Sequence, residues 1–152
     1  MRVVGSYLYD APPELIYQVF TNPDALVNAT PGLQSLRELE PDSWEGEIKV
    51  GVGGFALLYR GIVRVLDREP DRGYRITIHA ETHNGSVEAE TRLRFEPQED
   101  GGTRVVYETD VEFRGGQKLL PAIARGLVEF FMRGIEEYLM NKRLIPAQRS
   151  RR

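Results

Sequence analysis

Three consecutive stretches decide the fold: GYRITIHAETH at 73–83, SVEAETRLRFE at 86–96 and TRVVYETDVEF at 103–113. In each, side chains alternate with a period of two. Tyr74, Ile76, Ile78, Ala80 and Thr82 oppose Arg75, Thr77, His79, Glu81 and His83. Val87, Ala89, Thr91, Leu93 and Phe95 oppose Glu88, Glu90, Arg92 and Arg94. Thr103, Val105, Tyr107, Thr109, Val111 and Phe113 oppose Arg104, Glu108, Asp110 and Glu112. Alternation of this kind means strands with one covered and one wetted face. The breaks between them, His83-Asn84-Gly85 and Pro97 to Gly102, are too short for a crossover, so the strands run as an antiparallel meander.

Upstream the same period continues. Phe55, Leu57, Tyr59, Gly61, Val63 and Val65 share a face, with Arg60 and Arg64 opposite. Strands are expected near 33–39, 43–52 and 54–67, broken at Glu40-Pro41-Asp42, Gly53-Gly54 and Pro70-Asp71-Arg72. Arg2 to Tyr9 reads as a first strand. Asp10-Ala11-Pro12-Pro13-Glu14 reads as a helix start, with an acceptor side chain, proline where a missing N–H matters little, and an acid suited to the helix dipole. Leu15, Ile16, Val19 and Phe20 give that helix an apolar face. Asn22-Pro23-Asp24 opens a second short helix that Thr30-Pro31-Gly32 stops.

Downstream, Gln117 to Arg143 has the pattern of one long helix, ~40 Å from end to end. At ~100° per residue, Leu120, Ile123, Ala124, Leu127, Phe130, Phe131, Gly134, Ile135 and Tyr138 are assigned to its apolar face. Lys118, Arg125, Glu129, Arg133, Glu136 and Arg143 are assigned to the other. A stripe that wide needs a broad partner, and the sheet supplies it. The fold class is therefore α+β: a curved seven-stranded antiparallel sheet wrapped on a long C-terminal helix, with two short helices after the first strand. Residues 1–143 form one domain and 144–152 a basic, flexible tail.

Composition narrows the function. The 152 residues are 41% hydrophobic and 28% charged, as in ordinary globular domains. Cysteine is absent, which excludes disulfides and thiolate metal sites and fits a reducing, cytoplasmic setting. No signal peptide and no membrane-spanning run are read at the start or elsewhere. The net charge is −3, yet Lys142, Arg143, Arg149, Arg151 and Arg152 lie in the last eleven residues, leaving about −8 on the rest. So acidic a body excludes nucleic acid as a partner. The tail offers a peripheral contact to an anionic membrane surface or an acidic protein.

The order of strand, two short helices, six strands and long helix resembles the START-like helix-grip superfamily, which includes polyketide cyclases and lipid-transfer domains. More narrowly, the chain resembles the CoxG family, the G-subunit family of carbon monoxide dehydrogenase. The residues that carry this are Ala11-Pro12-Pro13-Glu14, Asn22-Pro23-Asp24-Ala25-Leu26 through Thr30-Pro31-Gly32, and Gly51. Tyr59 before Gly61-Ile62-Val63, Gly115-Gly116, and Phe130-Phe131 complete the set. The resemblance spans about residues 1–143. It departs at Gly53-Gly54, where the family often has Gly-Pro. It implies a binding or accessory protein with a hydrophobic small molecule between sheet and helix, in the service of a molybdenum-hydroxylase dehydrogenase.

The face pattern and the resemblance together assign the lining to Phe55, Leu57, Tyr59, Val63, Ile76, Ile78, Ala89, Thr91, Tyr107, Thr109, Leu127, Phe131, Ile135 and Tyr138. By this phasing the inner face carries no Asp, Glu, Lys, Arg or His, and its polar groups are tyrosine and threonine hydroxyls. Such a lining suits a neutral, partly polar ligand such as a quinone or isoprenoid, and disfavours a phosphate or free carboxylate. A filled core, with the protein acting as an adaptor, is the bland alternative. A cyclase or aromatase that uses Tyr59, Tyr107 or Tyr138 is the enzymatic one, although a phenol with a pKa of ~10 is a poor general acid or base. A binding protein is favoured over an enzyme, with no catalytic residue assigned and no cofactor. His79, Glu81 and His83 are the one metal-like cluster. The two histidines are ~13 Å apart along an outward strand face, so a solvated surface is preferred and no metal site is assigned.

Overall fold

A computed structural model describes residues 1–30, 32–52, 55–115 and 121–145, with the side chains at 50–52, 55, 57 and 121–123 outside that description. The elements are β1 (Arg2–Tyr9), α1 (Pro13–Phe20), α2 (Pro23–Ala29), β2 (Leu33–Glu40), β3 (Ser43–Val52), β4 (Phe55–Glu69), β5 (Gly73–Thr82), β6 (Gly85–Pro97), β7 (Thr103–Gly115) and α3 (Pro121–Asn141). The seven strands form one sheet in the order β1-β7-β6-β5-β4-β3-β2, all neighbours antiparallel. Five consecutive hairpin connections make the meander from β2 to β7. The first strand closes the far side on the last, which leaves β1 and β2 as edges.

Register aligns the alternating residues into rows across the covered face. Val65, Ile76, Thr91, Thr109 and Val3 make one row, and Val63, Ile78, Ala89 and Val111 the next. The opposite face carries an ion-pair lattice that includes Arg2–Glu108, Arg60–Glu47 and Arg75–Asp67.

The helices sit on the covered face at one end of the sheet. Asn22 caps α2, its Oδ1 accepting from the Asp24 and Ala25 amides at 2.8 and 3.4 Å. The expected cap for α1 is corrected: Asp10 lies outside the helix, Pro12 is the N-cap, and no side chain caps it. A proline pair enters the helix with no amide of its own to satisfy, so a capping acceptor has less to do there. Behind α1 the core is closed. Phe20 meets Tyr9, Phe95 and Phe131 with ring centroids 5.4–5.9 Å apart. The Tyr74 hydroxyl donates to the Phe20 carbonyl at 2.6 Å, and Thr103 Oγ1 donates to the Ala11 carbonyl at 2.7 Å. Buried hydroxyls here find backbone acceptors, as a dry core requires.

Two residues of α3 correct the expected helix phase. Phe130, assigned to the apolar face, is 56% exposed, and Glu136, assigned to water, is 4% exposed. The buried stripe centres on Ile135 and takes in Met132 and Leu139, which lie ~40–60° to the side left out of the expected stripe. Phe130 then falls ~140° from Ile135, out in solvent, while Glu136 at ~100° turns onto β1. Residues 117–120, including Leu120 and Lys118, and the Ile123 side chain lie outside the described residues. The chain is still packed at its last described residue, Ile145, which joins the core.

Candidate ligand chamber

The covered face is unevenly filled. Toward α1, Tyr9, Ile16, Phe20, Tyr74, Leu93, Phe95 and Val105 are all buried. Farther along the strands, Val63, Ile76, Thr91 and Phe113 on the covered face are only half-buried, although Ala80 and Tyr59 are buried there. Leu127 and Phe131, on the α3 side, are half-buried as well. The α3 backbone comes close chiefly to α2 and β1. Gly134 sets the first contact: a Cβ there would lie 2.7 Å from the Ala29 carbonyl oxygen, so only glycine permits the crossing. The Arg125 guanidinium donates to the Val4 carbonyl at 3.1 Å and helps set the second. The α3 backbone thus lies nearer to α2 and the β1 edge than to the middle strands β4, β5 and β6.

Of the residues expected to line a chamber, Tyr59, Tyr107, Thr109 and Ile135 are buried, while Val63, Ile76, Ile78, Ala89, Thr91, Leu127, Phe131 and Tyr138 are half-buried. Register brings Ile76, Thr91 and Thr109 into one row, and the two threonine hydroxyls meet at 3.0 Å. Tyr138 turns to α2, its hydroxyl donating to Asp24 Oδ2 at 3.2 Å. The Phe55 and Leu57 side chains lie outside the described residues. So do Gly53, Gly54 and Gly116 of the loops expected at the mouth.

A buried carboxyl group escaped the sequence reading. Glu136 corrects the expectation of an uncharged interior: its Oε1 accepts from the Tyr7 hydroxyl at 2.8 Å. Beside this pair, the Tyr9 hydroxyl donates to the Met132 carbonyl at 2.7 Å. Burial first, then the neighbouring Tyr7, Glu136 and Tyr107, holds the Tyr9 phenol well above its ordinary pKa. Burial likewise raises Tyr59 and Tyr107, so these side chains are neutral hydrogen-bond donors at neutral pH. The alternation of Tyr7 and Tyr9 along β1 was the available signal, since it places both phenols on the covered face.

Two open depressions of about 840 and 720 Å³ lie on the other, wet face. Arg75, Arg92, Arg94 and Glu108 line the first; His79, Glu88, Asp110 and Glu112 line the second, and Ile78, Ala89 and Val111 border it as well. The polar side chains largely satisfy one another. His79 uses both ring nitrogens, at 3.0 Å from Glu81 and 3.2 Å from Glu88. Among the described residues, no group of three or more His, Asp or Glu side chains is arranged to hold a metal ion.

A model of the CoxG family, the G-subunit family of carbon monoxide dehydrogenase, matches residues 5–140. The chain belongs to the CoxG family. Solved structures agree on the fold. A conserved protein from Geobacillus kaustophilus is 23% identical with a TM-score of 0.85, covering 93% of this chain and 96% of its own. A START superfamily protein from Mycobacterium smegmatis is 14% identical at TM-score 0.68, covering 92% and 97%. The protein TTHA0849 from Thermus thermophilus is 18% identical at 0.65, covering 93% and 99%. A search of curated proteins gives no match. Family and fold indicate a ligand-binding or accessory role for this CoxG relative. No described helix is long and apolar enough to cross a membrane.

Proposed function

We propose that the protein is a cytoplasmic carrier or accessory factor that holds a neutral hydrophobic molecule, a quinone, isoprenoid or other lipid-like compound, between the sheet and α3. Its client is a molybdenum hydroxylase of the carbon monoxide dehydrogenase type. One observation carries the reading. Val63, Ile76 and Phe131 face the covered side yet remain half-buried, while the same sheet is packed solid toward α1. Inward apolar surface left open in a folded chain is surface a ligand can cover, at a gain of about 25 cal/mol per Å². The client is argued from family membership.

Native mass spectrometry of the protein purified from its own host, with organic extraction, tests the reading. A co-purifying apolar compound supports the carrier and gives its chemical class. A clean apo mass, with no uptake from a host lipid extract, overturns it in favour of an adaptor with a filled core.

A further inference from the structure

The protein uses five of its seven tyrosine hydroxyls itself. Tyr7 donates to Glu136, Tyr9 to the Met132 carbonyl, Tyr74 to the Phe20 carbonyl and Tyr138 to Asp24, while Tyr17 accepts from Arg68 at 3.2 Å. Tyr59 and Tyr107 remain. Each is more than nine-tenths buried, at 7% and 4% exposure, and neither hydroxyl is hydrogen-bonded among the described residues. Neither hydroxyl oxygen is itself sealed from solvent, so from an enclosed ring each opens on unfilled space where an outside acceptor could reach it.

Their surroundings differ. The Tyr107 ring lies across Gly5 of β1, where an added Cβ would meet its Oη at 2.4 Å. From α3, Glu129 and Arg125 act on it with opposing charge, and both are exposed. Its hydroxyl thus belongs to the α3–β1 seam. Tyr59 lies on the covered face of β4, beside Ile48 in register and next in line to Gly61 and Val63. None of these neighbours offers a side-chain acceptor. Burial is the cause that raises its pKa, so the phenol keeps its proton.

We propose that the Tyr59 hydroxyl is the hydrogen-bond donor that recognises the ligand, and that the ligand presents to it a neutral acceptor oxygen such as a carbonyl or ether. This rests on the chamber reading and specifies it. An anion is disfavoured because the described covered face of β3, β4 and β5 brings no Lys or Arg to that place, and an unpaired buried charge is far more costly than a neutral acceptor.

Two probes with one skeleton test it: 2-methyl-1,4-naphthoquinone, which has two carbonyls, and 2-methylnaphthalene, which has none. Calorimetric titration of the full chain is expected to show Tyr59→Phe binding the quinone about three- to tenfold more weakly, with the hydrocarbon unchanged. Tyr17→Phe, on α1 and outside the lining, is expected to change neither. The carbonyl stretch of the bound quinone provides a second reading. It falls on hydrogen bonding in the parent protein and returns toward its free value in Tyr59→Phe. An unchanged quinone affinity and stretch in Tyr59→Phe overturn the assignment while leaving the chamber intact. Equal weakening of both probes makes Tyr59 a packing residue and overturns it too. Failure of the parent protein to bind either probe overturns the chamber reading itself.

Discussion

A carboxyl group at 4% exposure needs hydrogen-bond donors, and Glu136 finds one in the Tyr7 hydroxyl 2.8 Å away. Tyr7→Phe removes that donor and keeps the ring. The expected loss is about 1–3 kcal/mol, read by urea denaturation, and a loss below the error of that method would show that the bond adds nothing. His79 obeys similar chemistry in water. Hydrogen bonding to Glu81 leads in raising the imidazole above its ordinary 6.5; desolvation opposes it, and Glu88 adds to the rise. The protonated form is therefore the one the fold favours. Its contribution is fully present below about pH 6.5 and is lost as pH rises through the higher folded-state value. An NMR titration of the ring protons should place His79 above 6.5 and show Glu81→Gln bringing it down. A midpoint unmoved by that change would remove Glu81 as the cause.

At the scale of the element, α3 carries two glycines whose replacement should act in opposite directions. A Cβ on Gly126 meets nothing within 4 Å, so Gly126→Ala should stabilise by about 0.5–1 kcal/mol through helix propensity alone. At Gly134 the same gain is opposed by Ala29, whose carbonyl oxygen and Cα would sit 2.7 and 2.9 Å from the new methyl. Backbone must move there, and a net loss of about 1–3 kcal/mol is expected. Thermal unfolding of the two variants side by side checks the signs, and equal stabilisation would mean that α2 and α3 are not locked where they cross. The strands were legible because alternation and short turns are local signals: β5 was expected at 73–83 and runs Gly73–Thr82. The phase of α3 was less so. Its apolar positions are numerous enough that a stripe centred on Ile135 and one rotated by tens of degrees both score well, and only contact with β1 and α2 selects between them. Nothing near Glu136 in sequence announces Tyr7, 129 residues away.

Across the whole molecule, the sequence could say which residues face inward but not how far the roof stands from the floor. Ile76 and Leu93 lie on the covered faces of adjacent, alternating strands, yet Leu93 is buried and Ile76 half-buried, a difference that alternation does not encode. Nor could it tell Tyr74, which finds a carbonyl on α1, from Tyr59, which finds no acceptor among the described residues. Two phenylalanines in ring contact, Phe20 and Phe131, stand 5.9 Å apart on either side of this divide. Phe20 is fully enclosed by Tyr9, Phe95 and Phe131, so Phe20→Ala should cost about 3–5 kcal/mol, the full penalty for an emptied aromatic site. Phe131 is half-buried, so less apolar surface returns to water when it is truncated, and Phe131→Ala should cost clearly less. Urea denaturation of both variants without ligand measures the contrast. Equal losses at the two sites would mean that the rings belong to one continuous core, and the space beneath the first half of α3 would then be too small to hold a ligand.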